Sequence, residues 1–401
     1  MWLAPQQGMR LDSGGSGIIR FLCRQAGWEN ARVRRTIPFF NYPALFASSE
    51  DTYLDTIRRV LAAGKYILQE DLERFERNLA AWLGVGHVIG VGSGTDALLL
   101  ALRAAGVKPG DEVIMPSHTF VATGSAVHYA GAVPVLVDVR DDHLIDPAAV
   151  RRAVTPRTRA VVPVQLNGRT GEMDTLQEIA VENGLVIIED AAQALGSQYD
   201  GRKAGTFGVA AGFSFYPAKL LGCFGDGGAV ATDNDTVAER VRRLRDHGRA
   251  QDYGVREWSY NSRLDNLQAA ILDQKLAILD DALSRRRAIA ALYHERLSRL
   301  PGLLLPPPPG TGGRHFDVFQ NYEIEAERRD ELRNFLAENG VGTIIQWGGR
   351  AIHQFPALGF EVDLPVTDRI MAASLLLPMN TALTDEDVLY ICDLFDTFYG
   401  D

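Results

Sequence analysis

The stretch Val88-Ile89-Gly90-Val91-Gly92-Ser93-Gly94-Thr95-Asp96-Ala97-Leu98-Leu99-Leu100 decides the fold class. A short β-rich apolar run, then alternate glycines, then an apolar helical pattern reads as a strand, a tight turn and a helix. The first N–H groups of such a helix lack intrahelical partners and the helix dipole adds positive charge, so the turn from Gly90 to Ala97 is a candidate phosphate cradle. The plainer reading, a glycine-rich turn capped by Thr95 or Asp96, explains the same letters. A nicotinamide fingerprint fits worse. The spacing is GxGxG and not GxGxxG, and Glu112, roughly where that motif wants a strand-ending acid, begins a strand instead.

Working outward, β-rich runs recur at Glu112-Val113-Ile114-Met115, Val133 to Val139, Ala160 to Gln165, Leu185 to Ile188 and Gly212 to Phe215. Helical patterns separate most of them, at Ala97 to Ala105, Met173 to Asn183 and Val237 to Arg245. This alternation predicts an α/β fold with a mostly parallel sheet covered by helices on both faces. After residue 260 the pattern becomes long helical stretches, Leu264 to Leu283 and Arg285 to Leu300, followed by the stiff spacer Pro306-Pro307-Pro308-Pro309-Gly310. A strand near Gln320 to Ile324, a helix from Arg329 to Asn339, a strand near Gly342 to Gln346 and two closing helices then suggest a small α+β domain. The expected divisions are a mobile tail over 1–36, a large domain over 37–255 and a small domain over 256–401, which includes the long linking helices.

Composition narrows the function classes. With 401 residues, 46% of them apolar and 23% charged, the chain can bury a large core and is not disordered. A net charge of −10 argues against a broad basic face for nucleic acid. Cys23, Cys223 and Cys392 are widely spaced and form no CxxC, which suits a reducing compartment and gives no sign of a zinc cluster or other metal site. No run approaches the ~18 apolar residues of a membrane helix, and the first 25 residues lack a signal peptide's apolar core, so the cytoplasm is expected.

Two further stretches can carry chemistry. Leu185-Val186-Ile187-Ile188-Glu189-Asp190 is an apolar strand ending in two carboxylates, and ligands of α/β sheets bind at the carboxyl ends of strands. Asp190 there wants a cation such as a protonated ring nitrogen, an arginine or a metal; otherwise it caps a helix over Ala191-Ala192-Gln193-Ala194. In Ser214-Phe215-Tyr216-Pro217-Ala218-Lys219, the lysine sits among apolar and glycine-rich neighbours. Most lysines are solvated, but a desolvated one has a lowered pKa and an amine able to attack a carbonyl.

A phosphate cradle, a strand-end acid and a sheltered lysine in this order make the chain recognisable. Its Gly-Thr-Asp-Ala, Glu-Asp-Ala-Ala-Gln and Ser-Phe-Tyr-Pro-Ala-Lys blocks resemble the fold-type-I pyridoxal 5'-phosphate (PLP) enzymes and, within them, the sugar aminotransferases of the DegT/DnrJ/EryC1/StrS family. The resemblance runs from about Ile37 to the C-terminus. It implies a large domain with a seven-stranded mixed, mostly parallel sheet and a small C-terminal domain. It implies that Lys219 carries PLP covalently, that Asp190 pairs with the ring nitrogen, and that Gly94, Thr95 and Ser214 bind the phosphate. Phe120 matches the aromatic stacked on the ring and Gln193 the side chain near the ring hydroxyl. Asn261 and Arg263, in Tyr260-Asn261-Ser262-Arg263, match a motif that reaches a neighbouring subunit's cofactor, which implies a homodimer with shared sites.

By the same resemblance the enzyme moves the amino group of glutamate onto a nucleotide-linked keto-6-deoxyhexose, typically dTDP-activated, through pyridoxamine phosphate. Amination of a 4-keto sugar is the expectation, with a 3-keto acceptor as the alternative. Lys219 speaks against the family's dehydratases, which carry His there. The rival of another class is a non-catalytic PLP-fold regulatory protein. Tyr216, Trp347 and His353 are the expected substrate contacts, although Gln346-Trp347-Gly348 replaces a His-Tyr-Pro common in the family and His353 reads equally well as structural. Arg285-Arg286-Arg287 reads as a solvated helix face more readily than as a pyrophosphate contact.

Overall fold

In the computed structural model, which describes residues 35–250, 252–310 and 313–400, the β-rich apolar runs join one seven-stranded sheet. Its strands are β1 (His87–Val91), β2 (Glu112–Pro116), β3 (Val133–Val137), β4 (Thr158–Val161), β5 (Val186–Asp190), β6 (Ala210–Ser214) and β7 (Gly228–Thr232). Their spatial order is β1-β7-β6-β5-β4-β2-β3. Neighbours from β3 across to β6 are parallel, while β7 runs antiparallel to both β6 and β1. The carboxyl ends of β1, β2, β5 and β6 therefore share one edge of the sheet, together with the start of β7.

The pleat sorts side chains between two layers. Ile89, Val91, Val113, Met115 and Ile188 pack against the helices Gly94–Ala104, Val121–Tyr129 and Asp235–Leu244. On the other face Val88, Ala211, Phe213 and Ala229 meet the helices Glu70–Leu83 and Asn266–Leu276, and Ile187 meets Met173–Asn183. The last of these has the limits its sequence pattern predicts, because Gly184 takes the left-handed conformation (φ 65°) that ends it. The helix after β1 is capped by Ser93, whose Oγ accepts the Asp96 N–H at 3.1 Å, and not by Thr95 or Asp96.

A second, antiparallel sheet of Leu303–Leu304, Tyr322–Ala326 and Ser374–Leu377 carries the small domain's core with the helices Leu279–Leu297, Arg329–Glu338 and Asp385–Tyr399. The strand expected at Gly342 to Gln346 contributes one bridge, Ile344 to Leu376. The chain then turns through Trp347, Gly348 and Gly349, all at positive φ (50°, 71° and 75°). Ser374–Leu377, between the two closing helices, holds the strand position instead. A single cut near residue 255 also meets two crossings: Leu264, Leu272 and Leu276 belong to the core under the large sheet, while Ile37 packs in the small domain's core. The tail expected over 1–36, with Cys23, lies outside the described residues as far as residue 34.

The basic run is not a solvated face. Arg286 is buried and its Nη1 donates to the carbonyls of Phe319, Gln320 and Met379 at 3.0–3.1 Å, so burial lowers its pKa to about 10 without a carboxylate partner. Arg285 reaches Asp385 and the Leu383 carbonyl, and Arg287 reaches the Asp317 and Gly310 carbonyls. These three arginines pin the long helix to the loops around it. Among the described residues no helix is long and apolar enough to cross a membrane.

The two carboxylates ending β5 point to opposite faces, as a two-residue period requires. Glu189 is fully buried and accepts from the N–H groups of Gly205 (2.8 Å), Phe207 (2.6 Å) and Gly208 (3.1 Å) and from Gln165 Nε2 (2.9 Å). Glu189→Ala strands these donors, and urea unfolding is expected to show a loss of about 3 kcal/mol. A loss below about 0.5 kcal/mol contradicts this anchoring role.

Candidate active site

Strand direction gathers the chemistry. The shared carboxyl edge opens on a cavity of about 540 Å³, with Gly94 and Thr95 after β1, Phe120 after β2, Asp190 ending β5 and Ser214 ending β6 in its lining. Gln193, Tyr216, Lys219 and Trp347 line the same cavity. Close packing explains two of the glycines: a Cβ on Gly94 would lie 2.7 Å from the Ser214 Cβ, and one on Gly228 2.3 Å from the Ser93 carbonyl oxygen. Only bare backbone lets the turn sit against β6 and β7. The N–H groups of Gly94 and Thr95 have no acceptor among the described residues, and the Ser214 Oγ only accepts, from the Tyr216 N–H at 3.4 Å.

Asp190 is buried. Thr123 Oγ1 donates to its Oδ2 at 2.7 Å and the Ala192 N–H to its Oδ1 at 3.2 Å. Burial raises its pKa, opposed by these hydrogen bonds and by the Lys219 charge. Residues 191–194 form turns and no helix, so the helix-capping reading falls away. For Lys219, burial lowers the pKa to about 8, against the pull of the Asp190 charge. The Lys219 amine has no hydrogen-bond or ion-pair partner among the described residues. Its backbone, by contrast, is clamped, because Gln320 donates to the Ala218 carbonyl and accepts from the Leu220 N–H, both at 2.8 Å.

Free amides and a hydroxyl suit a phosphate, a buried carboxylate short of a cation suits a protonated ring nitrogen, and an unpaired amine suits an aldehyde. The residues present therefore fit PLP. Gln193 Oε1 accepts the Asn167 N–H at 2.9 Å, and Phe120 and Tyr216 are half exposed at the cavity. His353 is not brought there, and Asn261 and Arg263, expected to reach a neighbouring subunit's cofactor, lie outside this cavity. Arg263 pairs with Asp246 at 2.8 Å and Asn261 is exposed beside it. The His353 ring is held by Ser117 Oγ at 2.7 Å and Asp368 Oδ1 at 3.0 Å, the arrangement of a structural histidine. Thr123 and Gln320 were not foreseen from the sequence, since nothing in a lone Thr or Gln marks its partner 67 or 102 residues away.

Also unforeseen is a buried group behind the cavity wall. His118 is fully buried with neither ring nitrogen hydrogen bonded, and burial pulls its pKa to about 4. For His143, burial alone would lower the pKa, but Glu323 at 2.9 Å and Glu325 at 3.3 Å carry it to about 9.

Residues 48–396 match the DegT/DnrJ/EryC1/StrS aminotransferase family. The chain belongs to this family. The aminotransferase is 44% identical over 363 residues to dTDP-3-amino-3,4,6-trideoxy-alpha-D-glucose transaminase of Streptomyces venezuelae, across 89% of this chain and 94% of that one. It is 40% identical over 367 residues to a Geobacillus stearothermophilus protein named pleiotropic regulatory protein, across 90% and 98% of the two chains. The crystal structure of S. venezuelae DesV in complex with a ketimine intermediate superposes with a TM-score of 0.87 at 42% identity, covering 91% of this chain and 99% of that one. Aminotransferases of this family use PLP, so the enzyme is a PLP-dependent aminotransferase with the sheet topology just described.

Thr123→Val removes the hydroxyl that holds Asp190 in its charged form. PLP affinity, titrated on the apoenzyme, is expected to fall about tenfold, or about 1.4 kcal/mol. Unchanged affinity contradicts a cofactor-directed role for the Thr123–Asp190 bond.

Proposed function

We propose that the aminotransferase moves the amino group of glutamate to C-3 of a dTDP-linked 3-keto-deoxyhexose. The observation that carries the catalytic part is the placing of Lys219 and Asp190, each sensed by the other's charge, on one cavity. Support for C-3 comes from the S. venezuelae relative, whose name specifies a 3-amino product. The expectation of C-4 amination gives way to it. The cavity adds a physical reason for a deoxy sugar. Val164, Leu166, Ile344, Leu376 and Trp347 form an apolar wall that has no partners for many sugar hydroxyls.

When bound, PLP supplies an electron sink for the pair left behind as a substrate C–H bond breaks. The Gly94 and Thr95 N–H groups and the Ser214 hydroxyl hold its phosphate, and Asp190 keeps a proton on its ring nitrogen. Phe120 would support the ring and Gln193 would meet its hydroxyl. Lys219 would hold the cofactor through its Nζ, and the same amine, when free, would take the proton from the donor's Cα. With the keto sugar the same amine moves the proton in the opposite direction, ending at the aminated carbon. Such acid–base help contributes roughly 10²- to 10⁴-fold in rate. Tyr216 and Trp347 meet the sugar at the mouth.

Asn261 and Arg263 serve the site of a second copy. In support, they lie off their own cavity and follow within ten residues along the chain from Tyr253 (83% exposed), Val255 (65%) and Trp258 (96%), apolar residues that suit coverage by a partner. The regulatory reading, encouraged by the G. stearothermophilus relative's name, gives no use to a half-buried, unpaired and desolvated Lys219 on one cavity with a buried Asp190. We place the enzyme in the cytoplasm, which suits its free, buried Cys223 and Cys392.

Incubation with glutamate and each of dTDP-3-keto- and dTDP-4-keto-6-deoxyglucose is expected to yield an NMR-identified C-3 amine; nitrogen at C-4 contradicts the regiochemistry. Lys219→Ala is expected to lose turnover and the visible cofactor absorbance, and retention of both overturns the catalytic assignment. A lowered amine pKa means that the neutral form dominates above that value. Covalent capture of PLP by the apoenzyme is therefore expected to level off above about pH 8, whereas a rate still climbing towards the ordinary 10.5 contradicts a desolvated Lys219.

A further inference from the structure

Three segments far apart in the chain bring two imidazoles and a carboxylate together behind the catalytic cavity. His118 follows β2, His143 lies in the turn after β3, and Glu323 is on the small-domain strand Tyr322–Ala326. Their candidate ligand atoms all lie within 4.8 Å of one another. His118 is 0% exposed and neither of its ring nitrogens has a hydrogen-bond partner, an exception among buried polar groups that asks for an explanation. Its ring faces that of His143 at 5.4 Å between centroids, and Trp347 closes it off edge-on at 5.3 Å. His143 is held at φ 67°, a conformation uncommon outside glycine and costly for a residue with a Cβ.

We propose that His118, His143 and Glu323 form a binding site for a divalent cation of zinc-like character. Two imidazole nitrogens and one carboxylate oxygen are the donor set of a borderline-soft cation, with a fourth position left for water or for Glu325. The lone pair on one His118 nitrogen gains the partner it otherwise lacks. The cation takes the place of the hydrogen shared between His143 and Glu323.

The surroundings resemble an outer shell that orients ligands. Asn167 Nδ2 donates to Glu323 at 2.5 Å, and the Gln346 amide, with its NH₂ turned to Glu323, donates at 3.0 Å. Arg369 holds Glu325 at 2.5 Å. A second cavity of about 570 Å³, lined by His143, Glu323, Glu325, Asp141 and Asp142 together with Arg169 and Arg369, gives a cation a way in from solvent. Since His118 and His143 belong to the large domain and Glu323 to the small one, a bound cation would clasp the two together behind Trp347. The site goes beyond the transamination proposed above, and its test does not depend on that reading.

Tag-free holoenzyme, treated with chelator and dialysed, is titrated with zinc chloride by calorimetry and with cobalt(II) by visible absorption, while thermal unfolding is followed with and without zinc. One zinc per chain is expected, with a low-coordinate cobalt spectrum and a zinc-dependent rise in unfolding temperature. His118→Gln and Glu323→Gln are each expected to weaken zinc at least tenfold and to abolish that rise, while the PLP absorbance persists. Absence of stoichiometric zinc binding by the wild-type enzyme overturns the site. So does undiminished binding in both variants. If a variant fails to fold, the wild-type stoichiometry and cobalt spectrum still decide.

Discussion

A carboxylate and an amine, both taken out of water at the edge of one sheet, set the terms for the rest of the molecule. Burial pushes Asp190 and Lys219 towards their neutral forms while each charge holds the other in place. The balance leaves the amine near pKa 8, reactive close to neutrality, and leaves the acid in want of a cation that a protonated ring nitrogen can supply. Such a pair is expensive to bury and is tolerable only on backbone that cannot relax away from it. Glu189, one residue earlier and facing the opposite way, ties the end of β5 to three N–H groups. Gln320 clamps the loop carrying Lys219 from both sides.

That second clamp comes from the small domain, which therefore completes the site. Ile344, Trp347 and Leu376 add apolar lining to the cavity, and Arg286 fixes the helix behind them through three carbonyls. Trp347 holds a left-handed backbone with glycines after it, strain that places its ring between the cavity and His118. The cavity lining and the packing around His118 thus share one short segment.

What was legible in the sequence is what is written locally. A strand, a glycine turn and a helix announce β1 and its successor through hydrophobic period, and Met173–Asn183 carries its own stop signal at Gly184. The end of β5 and the Lys219 loop stand out because charged groups sit in apolar surroundings. Strand β7 was hidden, since Gly228-Ala229-Val230-Ala231-Thr232 is made of small residues behind a glycine-rich turn and shows little β signal. The arginine run looked solvated because periodicity cannot reveal carbonyls arriving from Phe319, Gln320 and Met379. Thr123 and the His118 group escaped for the same reason: their meaning lies in partners brought by the fold from distant segments.

The central claim is that one particular amine carries the cofactor. Borohydride reduction of the holoenzyme, which makes that linkage permanent, followed by proteolysis and mass spectrometry, tests it directly. The account expects the pyridoxyl mass on the peptide containing Lys219 and on that residue. A label on another lysine, or unmodified Lys219 in fully loaded enzyme, would contradict it.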